Sequence, residues 1–530
     1  MKKKILCLIV WNVVVVCYYN ISYAGKTVNI DVEVSSAGFY AANGEERNNY
    51  GTPFRQESND NILNLNVTPG TNCYICGGAG KGEVFDFINP NFLLMADRGY
   101  SDFTNQNYLL GDVKENKLNI YCNVDDGCFF VGGVTSTGTV AKNSVNVYGA
   151  GGSAESLIFG GLVFCSGCVE NNTVNIYNDF SGRCIVGGIG LGDDTGDSNF
   201  NIVNIFSSSN IAEHLWGGGV SFDGTCIGNK VDVYGSITMQ GGELECAYID
   251  GGHICTNGSA ERNSVTILGT IQFLQDLKIY GGYVYNEGSS NGNSVNISGT
   301  IHSRQGLRIF GGHIGTYGYA NGIASRNSVN ISGSIESKEN FLEIFGGYIN
   351  SNGNATINSV SISGSIKSDG DLDIRGGQVA GDGIANNNRV NISGDIRSKK
   401  DLDIRGGEVK GNGIANGNSV NISGSIECED NICIIGGGGT DSRYHIIGVL
   451  DGPNAVLPTP CYNSEGNVVS ISGKIVSGGR VVIVGGSAYR NAVNNKVIIL
   501  ETAELPEHSV LYGGSLLEAG VSLGNCLEVS

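Results

Sequence analysis

Apolar and polar positions alternate with period two along most of this chain. Val295, Ile297 and Ile301 alternate with Asn296, Ser298 and Thr300, and Leu307 and Ile309 alternate with Arg308 and Phe310. Alternation with a β-branched bias predicts short strands with one buried face. The pattern also returns at a fixed interval. Units of the form Asn-x-Val-Asn-Ile-Ser-Gly-x-Ile begin at Asn263, Asn293, Asn327, Asn358, Asn388 and Asn418, spaced 30, 34, 31, 30 and 30 residues apart. Looser copies begin at Asn61, Asn116, Asn143, Asn172, Asn201, Asn229, Asn467 and Asn495. A glycine pair follows in each unit, at Gly251, Gly281, Gly311, Gly346, Gly376, Gly406 and Gly436, and is expected to turn the chain. Polar stretches such as 411–417 read as loops that absorb the length differences.

Two or three short strands cannot bury an apolar face alone, so the units must stack. The expected fold is all-β: a right-handed parallel β-helix, or solenoid, with coils of roughly 30 residues. At about 4.8 Å per coil, roughly fifteen coils make a rod on the order of 70 Å long. Stacking predicts an interior column of Val295, Val329, Val360, Val390 and Val420, and an asparagine column of Asn296, Asn330, Asn391 and Asn421 bonded along the axis. The column before the glycine pair reads Tyr280, Phe310, Phe345, Arg375, Arg405, with Asp373 and Asp403 placed to offset the arginines. Two readings of this strip stay open: ordinary packing between coils, or a ligand strip, for instance for a glycan.

Composition sharpens the picture. Eighty-three glycines in 530 residues suggest disorder, but a hydrophobic fraction of 40% opposes it. The seven prolines leave 91–452 empty, as a continuous ladder requires. Lys2, Lys3 and Lys4, an apolar run from Ile5 to Tyr19 and Ser22-Tyr23-Ala24 predict a secretory leader at 1–24, cut after Ala24. That run is too short, and broken by Asn12, for a membrane anchor. Removing the three leader lysines takes the net charge from −19 to −22, which disfavours nucleic acid and anionic lipid as partners. Residues 25–115 are irregular and are expected to cap the solenoid. Repeats run over 116–437; residues 438–466, with three prolines and Cys461, form an insertion loop; 467–530 resume the coils.

The unit Gly346-Gly347-Tyr348, continued by Asn352-Gly-Asn-Ala-Thr-Ile-Asn-Ser-Val-Ser-Ile-Ser-Gly, resembles the passenger repeats of bacterial autotransporter adhesins, and the likeness covers about 116–500. The resemblance implies type V secretion, display at the outer surface of a Gram-negative-type bacterium, and adhesion to a host or bacterial cell-surface glycan or protein. Such proteins end in a translocating β-barrel. Here the last residues, Asn525 to Ser530, open another repeat, so the expectation is either a truncated or split reading frame, or a passenger partnered by a separate outer-membrane translocator.

Fourteen cysteines follow the leader, many of them close neighbours. Export predicts disulfides, with Cys73/Cys76, Cys122/Cys128, Cys165/Cys168 and Cys428/Cys433 as candidates. Zinc shared by Cys73, Cys76, Cys165 and Cys168 is opposed by the 89 residues between the pairs, and burial as small apolar side chains is a third reading. A polysaccharide-active enzyme on this fold would need clustered carboxylates. Asp371, Asp373, Asp401 and Asp403 with Arg375 and Arg405 are the best cluster, but repetition alone produces it. The six histidines are scattered, with His253 and His313 sharing a Gly-Gly-His position. No catalytic, metal or cofactor set is called for.

Overall fold

The computed structural model describes residues 60–66, 75–78 and 111–529, apart from 193–195, 240–245, 316–320, 440–460 and 517–520, with the backbone of a few short strands outside those ranges. The leader, most of the expected cap, Cys73 and the greater part of the insertion loop lie outside the described residues. Among the described residues every regular element is a β-strand, and parallel strands stack as a β-solenoid of about 13 turns with coils of about 30 residues. The chain divides into two compact units, one of Met1–Gly258 with Leu268–Gln272, the other of Ser259–Ile267 with Phe273–Ser530.

The second unit is the more regular. One of its coils holds the strands Ser294–Ile297, Thr300–Ser303, Leu307–Ile314 and Gly322–Ser325. Each pairs in parallel with its equivalent one repeat later, so that Val295 faces Val329, Ile301 faces Ile335, Phe310 faces Phe345 and Ala324 faces Ala355. The expected valine column is interior: Val295, Val329, Val360, Val390 and Val420 are all fully buried. Burying each such side chain stabilises the stack by about 1.5–3 kcal/mol. In the first unit Leu118, Val145, Val174, Val203 and Val231 form the corresponding column. Its glycine-pair strands are longer, reaching Phe129–Ala141 and Leu157–Glu170.

The outward asparagine column forms as two pairs, with Asn330 Nδ2 donating to Asn296 Oδ1 and Asn421 Nδ2 to Asn391 Oδ1, both at 2.9 Å, and Ser361 standing between them. A second asparagine column, unforeseen as such, is made by the first residue of every repeat, and it is buried. Asn388 donates its backbone N–H to Asn418 Oδ1 (2.9 Å) and its Nδ2 to both Ala355 O (2.8 Å) and Asn418 Oδ1 (3.1 Å). Its own Oδ1 accepts from the backbone N–H and the Nδ2 of Asn358, each at 3.0 Å. Only an amide side chain supplies both donors and acceptor at one point. Asn116, Asn143, Asn172 and Asn201 repeat the scheme in the first unit.

This column explains the glycines. The pair does not turn the chain, as expected, but lies inside a strand: Gly311 and Gly312 are within Leu307–Ile314. A Cβ on Gly311 would meet the carbonyl oxygen of Gly346 at 2.5 Å, and one on Gly312 the carboxamide of Asn327 at 2.5 Å. The glycines are needed for close approach. The turn sits instead just before each buried asparagine, where the backbone is left-handed: Arg326, Ile357, Asn387 and Gly417 have φ of 56°, 59°, 55° and 60°. Glycine and asparagine suit that conformation, whereas Ile357 is strained in it.

Candidate functional site

In the second unit the residues on either side of the glycine pair meet side by side. Tyr280 contacts Tyr283, Phe310 contacts His313 and Phe345 contacts Tyr348, with ring centroids 4.9, 5.1 and 5.8 Å apart. Along the stack Tyr280, Phe310 and Phe345 follow at 5.5 and 5.0 Å, and the Arg375 guanidinium lies 5.1 Å from the Phe345 ring. The expected aromatic-to-arginine column therefore forms. Its three rings, however, are only 2–3% exposed, so their faces are spent on one another and no open strip is offered.

The arginines enter a buried charge network. Arg405 Nε donates to Asp403 Oδ1 and Oδ2 at 2.9 and 3.0 Å, and Arg375 Nη2 lies 3.1 Å from Asp373 and 3.5 Å from Asp403. Asp373 and Asp403 thus offset the stacked arginines as their positions suggested. Glu408, the residue directly after the glycine pair and not foreseen, completes the set at 2.6 Å from Arg375 Nη1 and also bonds Arg405. Burial pushes the Glu408 carboxyl up, but Arg375 and Arg405 outweigh it and hold it below the usual range. Asp401 accepts from Asn431, and Asp371 is exposed. Asp373, Asp401, Asp403 and Glu408 are thus occupied as ion-pair or hydrogen-bond partners.

In this structure Cys122 is not joined to Cys128, nor Cys165 to Cys168, nor Cys428 to Cys433. Cys76, Cys122 and Cys128 are buried, as the small-apolar reading has it, and the Cys128 thiol is directed at the Asp126 carbonyl oxygen, 3.9 Å away. Cys165 and Cys168 both lie in Leu157–Glu170, beside a one-residue bulge and on either side of Gly167, whose φ is 136°. Cys428 and Cys433 occupy different columns. Cys428 is in register with Ser398 and, like it, donates inward, to Lys400 O at 2.9 Å, whereas Cys433 is in register with Asp403. Burial pushes the Cys122 and Cys428 thiols up to about 11, which disfavours the thiolate that disulfide exchange requires.

The exposed ladder lies in the first unit, one residue beyond each Asn-initiated strand. Tyr121, Tyr148, Tyr177, Phe206 and Tyr234 stack face to face at 4.9, 4.8, 5.0 and 5.1 Å, with ring planes within 9° of parallel. Each ring remains 40–51% exposed. Their edges, four of them carrying hydroxyls, thus form a rail repeating at the coil spacing. Beside it runs a shallow groove of about 300 Å³, lined by Gly151, Asp179, Ser181, Ser209, Asn210 and Thr238 among others. Tyrosine pairs an apolar body with a polar tip, a combination suited to wet, amphipathic ligands. The sequence held the signal in the looser repeats, where these aromatics take the place that Ser298, Ser332, Ser363 and Ser393 hold in the regular ones.

The same unit buries a cluster that sequence reasoning did not assemble. His253 Nδ1 is 2.6 Å from Asp250 Oδ2, across the glycine pair Gly251-Gly252. Its ring stacks on Trp216 at 4.2 Å, and Trp216 packs against His214 at 4.8 Å. Burial pushes the His253 imidazole down, but Cys255 and Asp250 together raise it to about 10, so it is held as a cation. Compared with known protein families, curated proteins and solved structures, the chain matches none.

Proposed function

We propose that this chain is the exported, surface-displayed module of an autotransporter-like system, and that it attaches to a cell-surface glycan or protein through the aromatic rail of its first unit. The observation that carries this reading is the five-ring ladder from Tyr121 to Tyr234 with its adjoining groove. The stack does not need those rings to fold, because the second unit carries serine at the same place. Exposed aromatics kept in register over five coils therefore answer to something outside the fold. The leader and the acidic net charge of −19 support export and a soluble surface.

The test is adhesion of the purified chain to arrays of neutral and acidic glycans and to whole bacterial and host cells. A Tyr148→Ser/Tyr177→Ser variant should lose binding about tenfold or more, with its coil packing intact. Equal binding by variant and parent, or saccharide cleavage by either, would remove the adhesive reading.

A further inference from the structure

We propose that Cys184, Glu213 and His214 form a binding site for one zinc-class divalent cation in the first unit. Cys184 lies on Phe180–Gly190 and is the register partner of His214 on Ser209–Val220. Between Gly182/Ile211 and Cys184/His214 the later strand carries one extra residue. Such a bulge re-aims side chains that strict alternation would send to opposite faces. As a result the Cys184 Sγ, a Glu213 carboxylate oxygen and a His214 ring nitrogen all lie within 4.8 Å of one another. All three residues are buried, at 0, 3 and 1% exposure.

The donor set is chemically specific. A thiolate, an imidazole and a carboxylate suit zinc, whose bonds to sulfur and to nitrogen or oxygen run about 2.0–2.3 Å. A cation at the centre of the triangle is reached by side-chain movements of under about 1 Å. Three protein ligands leave a fourth position for water. Neighbouring groups already act as a supporting shell. Arg183 Nε donates to Glu213 Oε2 at 2.7 Å and so orients the carboxylate, and His214 is held between Trp216 (4.8 Å) and Tyr248 (5.4 Å). Supporting contacts of this kind fix ligand direction in metal sites. Binding proceeds with release of the Cys184 thiol proton to solvent; the new thiolate faces the ion, and the Glu213 carboxylate is shared between the ion and Arg183.

The experiment titrates the chelator-treated full chain with Co²⁺ and then Zn²⁺, following absorption. One equivalent of Co²⁺ is expected, with a thiolate-to-cobalt charge-transfer band that Zn²⁺ abolishes. Cys184→Ser and His214→Gln should each weaken zinc binding by at least about 100-fold, whereas Cys165→Ser/Cys168→Ser should leave it unchanged. Should the single variants fail to fold, X-ray absorption at the zinc edge of the parent protein decides: one sulfur with nitrogen and oxygen neighbours upholds the site. Absence of saturable binding, retention of binding by folded Cys184→Ser, or two or more sulfurs around the zinc would overturn it. None of these readouts depends on adhesion.

Discussion

His253 and His313 follow the same glycine pair on the same strand of their coils, one in each unit, and their chemistry runs in opposite directions. Burial alone drives His313 down to about 3, with Lys278 and Arg308 adding to it against a bond to the Gly315 carbonyl. For His253 the same burial is outweighed by Cys255 and Asp250. Two neighbours set His253 apart: Cys255, the larger influence, and the residue across the glycine pair, Asp250 in the first unit where the second has Phe310. A repeat position fixes where a side chain stands, and its neighbours along and across the coil fix what it does. The outward column teaches the same lesson, with stacked aromatics in the first unit and serines in the second. There the serines line a hydroxyl-rich groove of about 600 Å³ through Ser298, Ser332 and Ser363. What both units share is the interior: buried asparagines, branched aliphatics and the glycines that make room for them.

That shared interior is where the comparison is easiest to break. Asn358→Ala strands the amides of Asn327 and the carbonyl of Ala324 in a dry environment. Denaturant unfolding should register a loss of about 4 kcal/mol or more, and Asn172→Ala in the first unit should lose a similar amount. If one unit tolerates the change, the interiors are not equivalent.

The charge network belongs to the second unit alone. Asp403→Asn removes the buried carboxylate that faces both Arg375 and Arg405, and a loss of about 3–4 kcal/mol is expected in the same assay. Acid should act likewise. Because the folded Glu408 lies below its ordinary value of 4.5, its contribution is present above that pH and is lost as pH falls through the folded value.

The histidines sharpen the contrast with smaller effects. His253 is raised, so its stabilisation is complete below about 6.5 and fades as pH rises toward 10. His313 is lowered, so stability tied to it is present above 6.5 and fades as pH falls toward 3. Imidazole NMR titration should find His253 charged and His313 neutral at pH 7, and Asp250→Phe should make His253 neutral there too. A His253 that remains charged in that variant would assign the effect to Cys255 alone.

The smallest effect is a gain. Ile357 is half exposed and left-handed where the next two coils use Asn387 and Gly417. Ile357→Gly should raise stability by about 1 kcal/mol, read as a higher denaturant midpoint.

Much of the fold was legible because stacking converts a sequence period directly into contacts. The valine column, the outward asparagines and the order from Tyr280 to Arg405 all follow from alternation and interval. Alternation has no way to mark Asn293 as buried, because it precedes the strand at a corner and hydropathy places asparagine outside. The glycine pair suggested a turn, since the crowding that demands it comes from an asparagine elsewhere on the coil. Cysteines close in sequence, such as Cys122 and Cys128, suggested bridges, but a thiol also serves the stack as a small buried side chain. Aromatics at 280–345 drew attention because their repeats are regular, yet regularity brought them into mutual contact. The open ladder at 121–234 was spread over looser repeats. Cys184, Glu213 and His214 meet only through a one-residue bulge, which no strict period contains.

The central claim is that the interior columns hold the stack while the outward columns carry function. The most direct measurement sets Tyr148→Ser/Tyr177→Ser beside Asn172→Ala, recording denaturant midpoint and cell-surface binding for each. The account predicts that the tyrosine variant loses binding at a stability cost of about 1.5–4.5 kcal/mol, from three broken stacks at about 0.5–1.5 kcal/mol each, with half-exposed rings at the lower end, whereas the asparagine variant loses its packing. A tyrosine variant that unfolds as readily as the asparagine variant, or that binds as the parent does, would contradict it.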